Sequence, residues 1–243
     1  MNLLFCTAGD SPALRYAISI LKGAGIPFAD TSDLTASHLL LPVPSLNPQG
    51  ELVGGDDLRS ILPQFSKDIC LIGGNLDFAE GYNKMDLLQD DTYVSANAAI
   101  TAHCAIGHAI ARLPVTLERC PVLVIGWGRI GKCLCKLLGG LGASVTIAAR
   151  KSADRAMAMA LGYSAIPTDG IDPLGYRVIF NTAPAMVLPD GGTALKIDLA
   201  SKPGIGGEDV IWARGIPGKD APESSGKLIA DRILCKLKEG GYL

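Results

Sequence analysis

The segment Pro121-Val122-Leu123-Val124-Ile125-Gly126-Trp127-Gly128-Arg129-Ile130-Gly131 decides how this chain folds. Val122 to Ile125 are apolar and mostly β-branched, and read as a buried strand. Glycines spaced G-x-G-x-x-G follow at once, and Ile130 to Leu141 reads as a helix. In a strand, turn and helix that approach a pyrophosphate, each glycine has its own task. Gly126 makes the tight turn, Gly128 lets backbone come close to the phosphates, and Gly131 lets helix and strand pack closely. Arg129 and Ile130 then open a helix whose free N–H groups face the phosphates. Alone the glycine pattern is weak; in this context it reads as a dinucleotide site.

The next strand, Ser144 to Ala149, decides between cofactors. An NAD site usually places Asp or Glu about 20 residues beyond the glycines, on the ribose 2′-hydroxyl. Here the strand runs into Arg150-Lys151-Ser152, and the first acid, Asp154, comes too late to end it. A guanidinium, an ammonium and a hydroxyl suit a 2′-phosphate, so NADP is expected. A merely solvated basic turn would tolerate NAD as well.

Farther along, a helix is expected over Ala153 to Leu161, with strands over Val178 to Asn181 and Ala194 to Leu199. Asn181-Thr182-Ala183-Pro184 ends the first of these strands beside the cofactor. Its amide and hydroxyl suit the nicotinamide ribose, and Pro184 equally suits a plain turn. Pro222 to Lys238 reads as an amphipathic helix that returns to the amino-terminal half. Upstream, strands are expected at Asn2 to Cys6, His38 to Val43 and Ile69 to Ile72. Helices are expected from Gly9-Asp10-Ser11-Pro12 to Gly23 and after Asp56-Asp57. The first turn lacks the glycine spacing for phosphate. Asn97 to Leu113 reads as a long helix stopped by Pro114.

The fold class is therefore α/β with two Rossmann-like domains. A smaller amino-terminal flavodoxin/Rossmann-like domain covers 1–96. A linker helix and NAD(P)-binding Rossmann domain cover 97–220, and a returning carboxy-terminal helix covers 221–243.

Composition agrees with this and narrows the function. The chain has 243 residues, 48% of them hydrophobic, with mean hydropathy +0.29. A net charge of −2 provides no basic stripe for nucleic acid. No apolar run reaches the roughly 18 to 20 residues a membrane-spanning helix needs. The start lacks the basic region of a signal peptide, so a cytoplasmic chain is expected. Only 19% of residues are charged, which suggests surface covered by a partner; a homo-oligomer is expected. The seven cysteines show no metal-ligand or redox spacing and read as reduced, mostly buried thiols.

Asn97 to Gly131, the Arg150 turn, Asn181 to Pro184, Asp198 to Gly204 and Gly215-Ile216-Pro217-Gly218 occur in the same order in the dipicolinate synthase A family, which this chain resembles. The likeness is strongest from Asn97 onward, and the amino-terminal domain is shorter. It implies a two-domain fold like that of D-2-hydroxyacid dehydrogenases, and a partner, the flavoprotein B component. It also implies oxidation of dihydrodipicolinate, a small dicarboxylate, to dipicolinate during sporulation. Two departures stand out: His103 replaces a family glutamate, and Lys202 replaces a family arginine, with Ile205 interrupting the glycine pair that follows.

Candidate catalytic residues are Asn97, Thr101, His103 and Lys202. Asn97 and Thr101 share a helix face with Cys104 and His108, whereas His103 lies off it. His103 in a first helical turn would serve as a neutral base or simply replace a capping glutamate. Lys202 follows a strand, where ligands of open α/β sheets bind; it would meet a substrate carboxylate or stay solvated. The substrate is expected among the Asn97 helix start, the Asn181 turn and the Ser201-Lys202 loop.

Overall fold

The structure, a computed structural model, describes residues 3–30, 32–55 and 57–243. The expected strand start at Asn2 and helix start at Asp56 lie outside the described residues. Among these residues, no helix is long and apolar enough to cross a membrane. The chain forms two units, Met1–Asn97 with Pro217–Leu243, and Ala98–Ile216.

The first unit holds a four-stranded parallel sheet in the order β1 (Phe5–Thr7), β2 (His38–Leu40), β3 (Cys70–Gly73), β4 (Asn83–Asp86). A parallel bridge from Phe5 to Phe28 adds one rung on the far side of β1. Counted with it, the order is the flavodoxin-like 2-1-3-4-5. Alternation along the strands sends Phe5, Leu40 and Ile72 to one face, and Cys6, Leu39, Leu41 and Leu71 to the other. The first face is covered by α1 (Pro12–Gly23) and α7 (Pro222–Glu239), through Leu14, Ala17 and Leu21 and through Ile229, Ile233 and Leu237. Ser11 caps α1 by accepting from Leu14 N–H. The second face is covered by Leu58 of α2 (Leu58–Ile61), with Leu62 and Phe65 beyond it. Asp57 caps α2.

The second unit is a six-stranded parallel sheet. It is built from β5 (Pro121–Ile125), β6 (Ser144–Ala148), β7 (Ser164–Ile166), β8 (Val178–Asn181), β9 (Leu195–Asp198) and β10 (Val210–Trp212). Their spatial order is β7-β6-β5-β8-β9-β10. Numbered from β5, that is 3-2-1-4-5-6, the Rossmann order, with its switch point between β5 and β8. Helices α4 (Arg129–Gly140) and α5 (Ser152–Ala160) make the first two crossovers. Val122, Val124, Ile147 and Phe180 point to one core, and Leu123, Ile125, Ala148 and Ile179 to the other. A sheet buried on both faces explains the unbroken apolar run at Val122 to Ile125.

Several expectations are corrected. The long helix α3 runs Asp91–Ile110 and starts six residues before Asn97. Its start is set by Asp90, whose carboxylate accepts from Tyr93 N–H at 2.9 Å. Past Gly215, Ile216–Asp220 forms a short helix, α6, which the pattern does not predict. Strands β4, β7 and β10 add to those the pattern predicts. The cysteines form no disulfide among the described residues, and burial pushes the thiols of Cys6 up to about 11 and Cys135 up to about 12.

Candidate dinucleotide site

The glycine turn is built as its sequence demands. Gly126 has φ +101°, where a side chain is strained, and an added Cβ would stand 2.4 Å from Thr182 Oγ1. A Cβ on Gly131 would stand 2.2 Å from the Gly126 carbonyl oxygen, so α4 meets the turn only because residue 131 is glycine. Gly128 differs. Its φ of −81° suits any residue, and an added Cβ would meet nothing within 4 Å. The protein itself does not require glycine there. Open space over backbone at the start of α4, with no side-chain cap, has the form that suits a pyrophosphate. Arg129 is exposed and Ile130 half-buried at this helix start. Trp127 is buried in the core and pins the turn from below.

The switch point closes on the same turn. Ile125 O accepts both Thr182 N–H at 2.8 Å and Thr182 Oγ1–H at 2.9 Å, which joins the ends of β5 and β8. The Thr182 hydroxyl therefore braces the turn. Asn181 has a supporting position too. Its side chain is fully buried, donates to Ala183 O and Asp198 Oδ1, and accepts from Ala183 N–H. It shapes the loop from behind, with its amide engaged by Ala183 and Asp198. Pro184 is exposed on that loop.

Asp198 at the end of β9 organises the neighbouring loop. Oδ1 accepts from Asn181 and from Ala200 N–H, and Oδ2 accepts from Gly204 N–H at 2.6 Å and Ile205 N–H at 3.2 Å. A Cβ on Gly204 would stand 2.3 Å from Asn181 Nδ2, which explains the glycine after Pro203. The loop so anchored leaves Lys202 exposed. Trp212 Nε1–H donates to Ala200 O at 3.1 Å and ties the end of β10 to the same loop. Pattern reading misses Asp198 as a support, although an acid that ends an apolar strand is a visible signal.

At the end of β6, Arg150 and Lys151 are exposed and Ser152 is the first residue of α5. Arg155, which no motif singles out, reaches back to this turn and donates to Ala149 O and Arg150 O.

The α3 residues fare differently. Because α3 starts at Asp91, Asn97, Thr101 and His103 lie well inside it, and none has the free N–H of a first turn. Thr101 is buried, Asn97 half-buried and His103 exposed. Two residues past Thr101, His103 faces the opposite side of the helix. Asn97 falls in the first unit and Thr101, His103 and Lys202 in the second. A pocket in the first unit, lined by Cys70, Lys84, Asp86, Asp90 and Lys236 among others, contains none of the expected site residues.

No protein-family model matches the chain. Among curated proteins, the A component of dipicolinate synthase from Bacillus subtilis (strain 168) is 30% identical over 169 residues, 62% of this chain. The match spans 56% of that relative's length. Among solved structures, dipicolinate synthase A from Bacillus halodurans superposes with a TM-score of 0.82 at 23% identity, over 97% of both chains. Dipicolinate synthase A from Bacillus subtilis has a TM-score of 0.81 at 21% identity, over 98% of this chain and 97% of that one. D-lactate dehydrogenase from Escherichia coli has a TM-score of 0.60 at 14% identity, over 98% of each. In sequence over the matched part, and in fold along nearly its whole length, this chain is similar to dipicolinate synthase A.

Proposed function

We propose that this chain is an NADP-dependent oxidoreductase of the dipicolinate synthase A type. In this reading it oxidises dihydrodipicolinate to dipicolinate in the cytoplasm of a sporulating cell, as a homo-oligomer working with the flavoprotein B component. The observation that carries the reading is Gly128, a glycine that the protein's own packing does not require, set in open space at a Rossmann glycine turn. Sequence likeness to dipicolinate synthase A supports the rest.

The cofactor would lie across the turn of Gly126, Gly128, Arg129, Ile130 and Gly131. The exposed Arg150 and Lys151, with Ser152, would receive a 2′-phosphate, and Thr182 and Pro184 would flank the nicotinamide half. Bound NADP supplies a hydride acceptor. Dihydrodipicolinate loses a hydride and a proton and becomes an aromatic pyridine, so the products are dipicolinate, NADPH and a proton. Lys202, exposed where β9 ends, would hold one substrate carboxylate as a point charge. Asn97 and Thr101 share a face of α3 and would bind the ring or a carboxylate oxygen.

A second reading, a dehydrogenase of another small carboxylic acid, draws on Lys202 and His103, which replace the family's arginine and glutamate. One assay separates the readings: purified chain, NADP, dihydrodipicolinate and a flavoprotein of the B type, with dipicolinate measured. Dipicolinate formed by the parent and strongly reduced in Lys202→Ala supports the proposal, and His103→Ala is expected to keep activity. No dipicolinate from the parent rejects the substrate. Cofactor binding without turnover of any small carboxylic acid would leave a non-catalytic NADP-binding component.

A further inference from the structure

Arg155 lies in α5, and its Nη1 donates to Ala149 O at 2.8 Å and to Arg150 O at 2.9 Å. Both carbonyls lie past the last rung of the β6–β7 ladder, Ala148 with Ile166. Beyond a ladder, carbonyls need water or a side chain as donor. Among the described residues, no carboxylate pairs with this guanidinium. A fixed, uncompensated cation thus stands at the strand end where an NAD site holds an acid.

The two hydrogen bonds also orient the turn. In a planar trans peptide the carbonyl and the next N–H point opposite ways. With the Ala149 and Arg150 carbonyls turned toward Arg155, the N–H groups of Arg150 and Lys151 turn away from it. Successive N–H groups presented by a turn suit an oxyanion.

We propose that Arg155 is the positioning residue of the 2′-phosphate subsite. It holds the Arg150–Lys151 turn in its phosphate-receiving form and adds positive charge behind it. Preference for a 2′-phosphorylated adenosine then depends on residue 155 as well as on Arg150. This inference rests on the NADP reading given above. Position 155 escapes a reading of the fingerprint because it sits five residues beyond Arg150, on the following helix.

The test uses two probes that differ only in the 2′-phosphate, adenosine 2′,5′-bisphosphate and adenosine 5′-monophosphate. Their affinities are measured by calorimetry on the full chain and on Arg150→Ala, Arg155→Met, Arg155→Gln and Arg155→Lys. The parent is expected to prefer the bisphosphate by about tenfold or more. Arg155→Met and Arg155→Gln should lower that ratio by about fivefold, with monophosphate affinity within about twofold of the parent, and Arg155→Lys should restore part of it. Faster amide exchange at Lys151 and Ser152 in Arg155→Met should accompany the loss. If Arg155→Met fails to fold, the ratio in Arg155→Gln decides. An unchanged ratio there, or equal loss for both probes, overturns the role of Arg155. A parent that binds both probes equally overturns the NADP reading and this inference with it. A ratio lost in Arg150→Ala but intact in the Arg155 variants overturns this inference alone.

Discussion

Asn181 Nδ2 donates to Asp198 Oδ1 across 2.9 Å, and both side chains are fully buried. This contact joins the ends of β8 and β9, and through the other three bonds to Asp198 it sets the path of the loop that carries Lys202. Asp198→Asn would place an amide N–H₂ against donors that now meet an oxygen. The expected loss is about 2 kcal/mol of stability. Urea denaturation measures it, and faster amide exchange at Gly204 and Ile205 should accompany it.

Gly128 and Gly131 should separate binding from folding. Gly128→Ala meets open space at an ordinary φ and should cost about 1 kcal/mol or less. It should nevertheless weaken dinucleotide binding by about a hundredfold or more, because the backbone can no longer approach the pyrophosphate. Gly131→Ala puts its Cβ against a main-chain oxygen and should destabilise the second unit by about 2 kcal/mol. Thermal melts with cofactor titrations check both. A Gly128→Ala variant that binds as the parent does would remove the main support for the site.

His38 predicts a pH dependence. Its ring stacks on Phe5 at 4.7 Å, its Nδ1 meets Ser37 Oγ at 2.8 Å, and burial holds its pKa below the ordinary histidine range. The unfolded chain takes up this proton near pH 6.5 and the folded one only at lower pH, so stability is full above about 6.5 and falls as pH drops toward the folded value. Unfolding free energies between about pH 7.5 and 4.5 should show that decline. His38→Gln should flatten it.

Gly226 sets the approach of α7 to α1. A Cβ there would stand 2.4 Å from Tyr16 Cβ and 2.6 Å from Ala13 O. Gly226→Ala must push the helices apart and should cost about 2 kcal/mol. A melting temperature equal to the parent's would show that the two helices separate at little cost.

The elements legible in the chain are those with a strong local signal. β5 and α4 follow from an apolar run and a glycine spacing, and α7 from its apolar face. The three strands that pattern reading passes over, β4, β7 and β10, are all sheet edges. An edge strand is short and half-solvated, so Asn83 to Asp86 or Ser164 to Ile166 carries little apolar pattern to read. Asn97 reads as a helix start because the alanine-rich stretch begins there, yet the Asp90 carboxylate starts the helix a turn and a half earlier.

By itself, then, the sequence determined the Rossmann unit and the glycine cradle, because close backbone approach admits one residue type and strand–turn–helix order is local. Only the tertiary structure decided which side chains support the site and which face out. Asn181 turned inward to Asp198, Thr182 became a brace for Ile125, and Arg155 came back across its helix to the end of β6. These roles depend on hydrogen bonds between residues as many as 57 positions apart, and such pairings exist only once the sheet has ordered its strands.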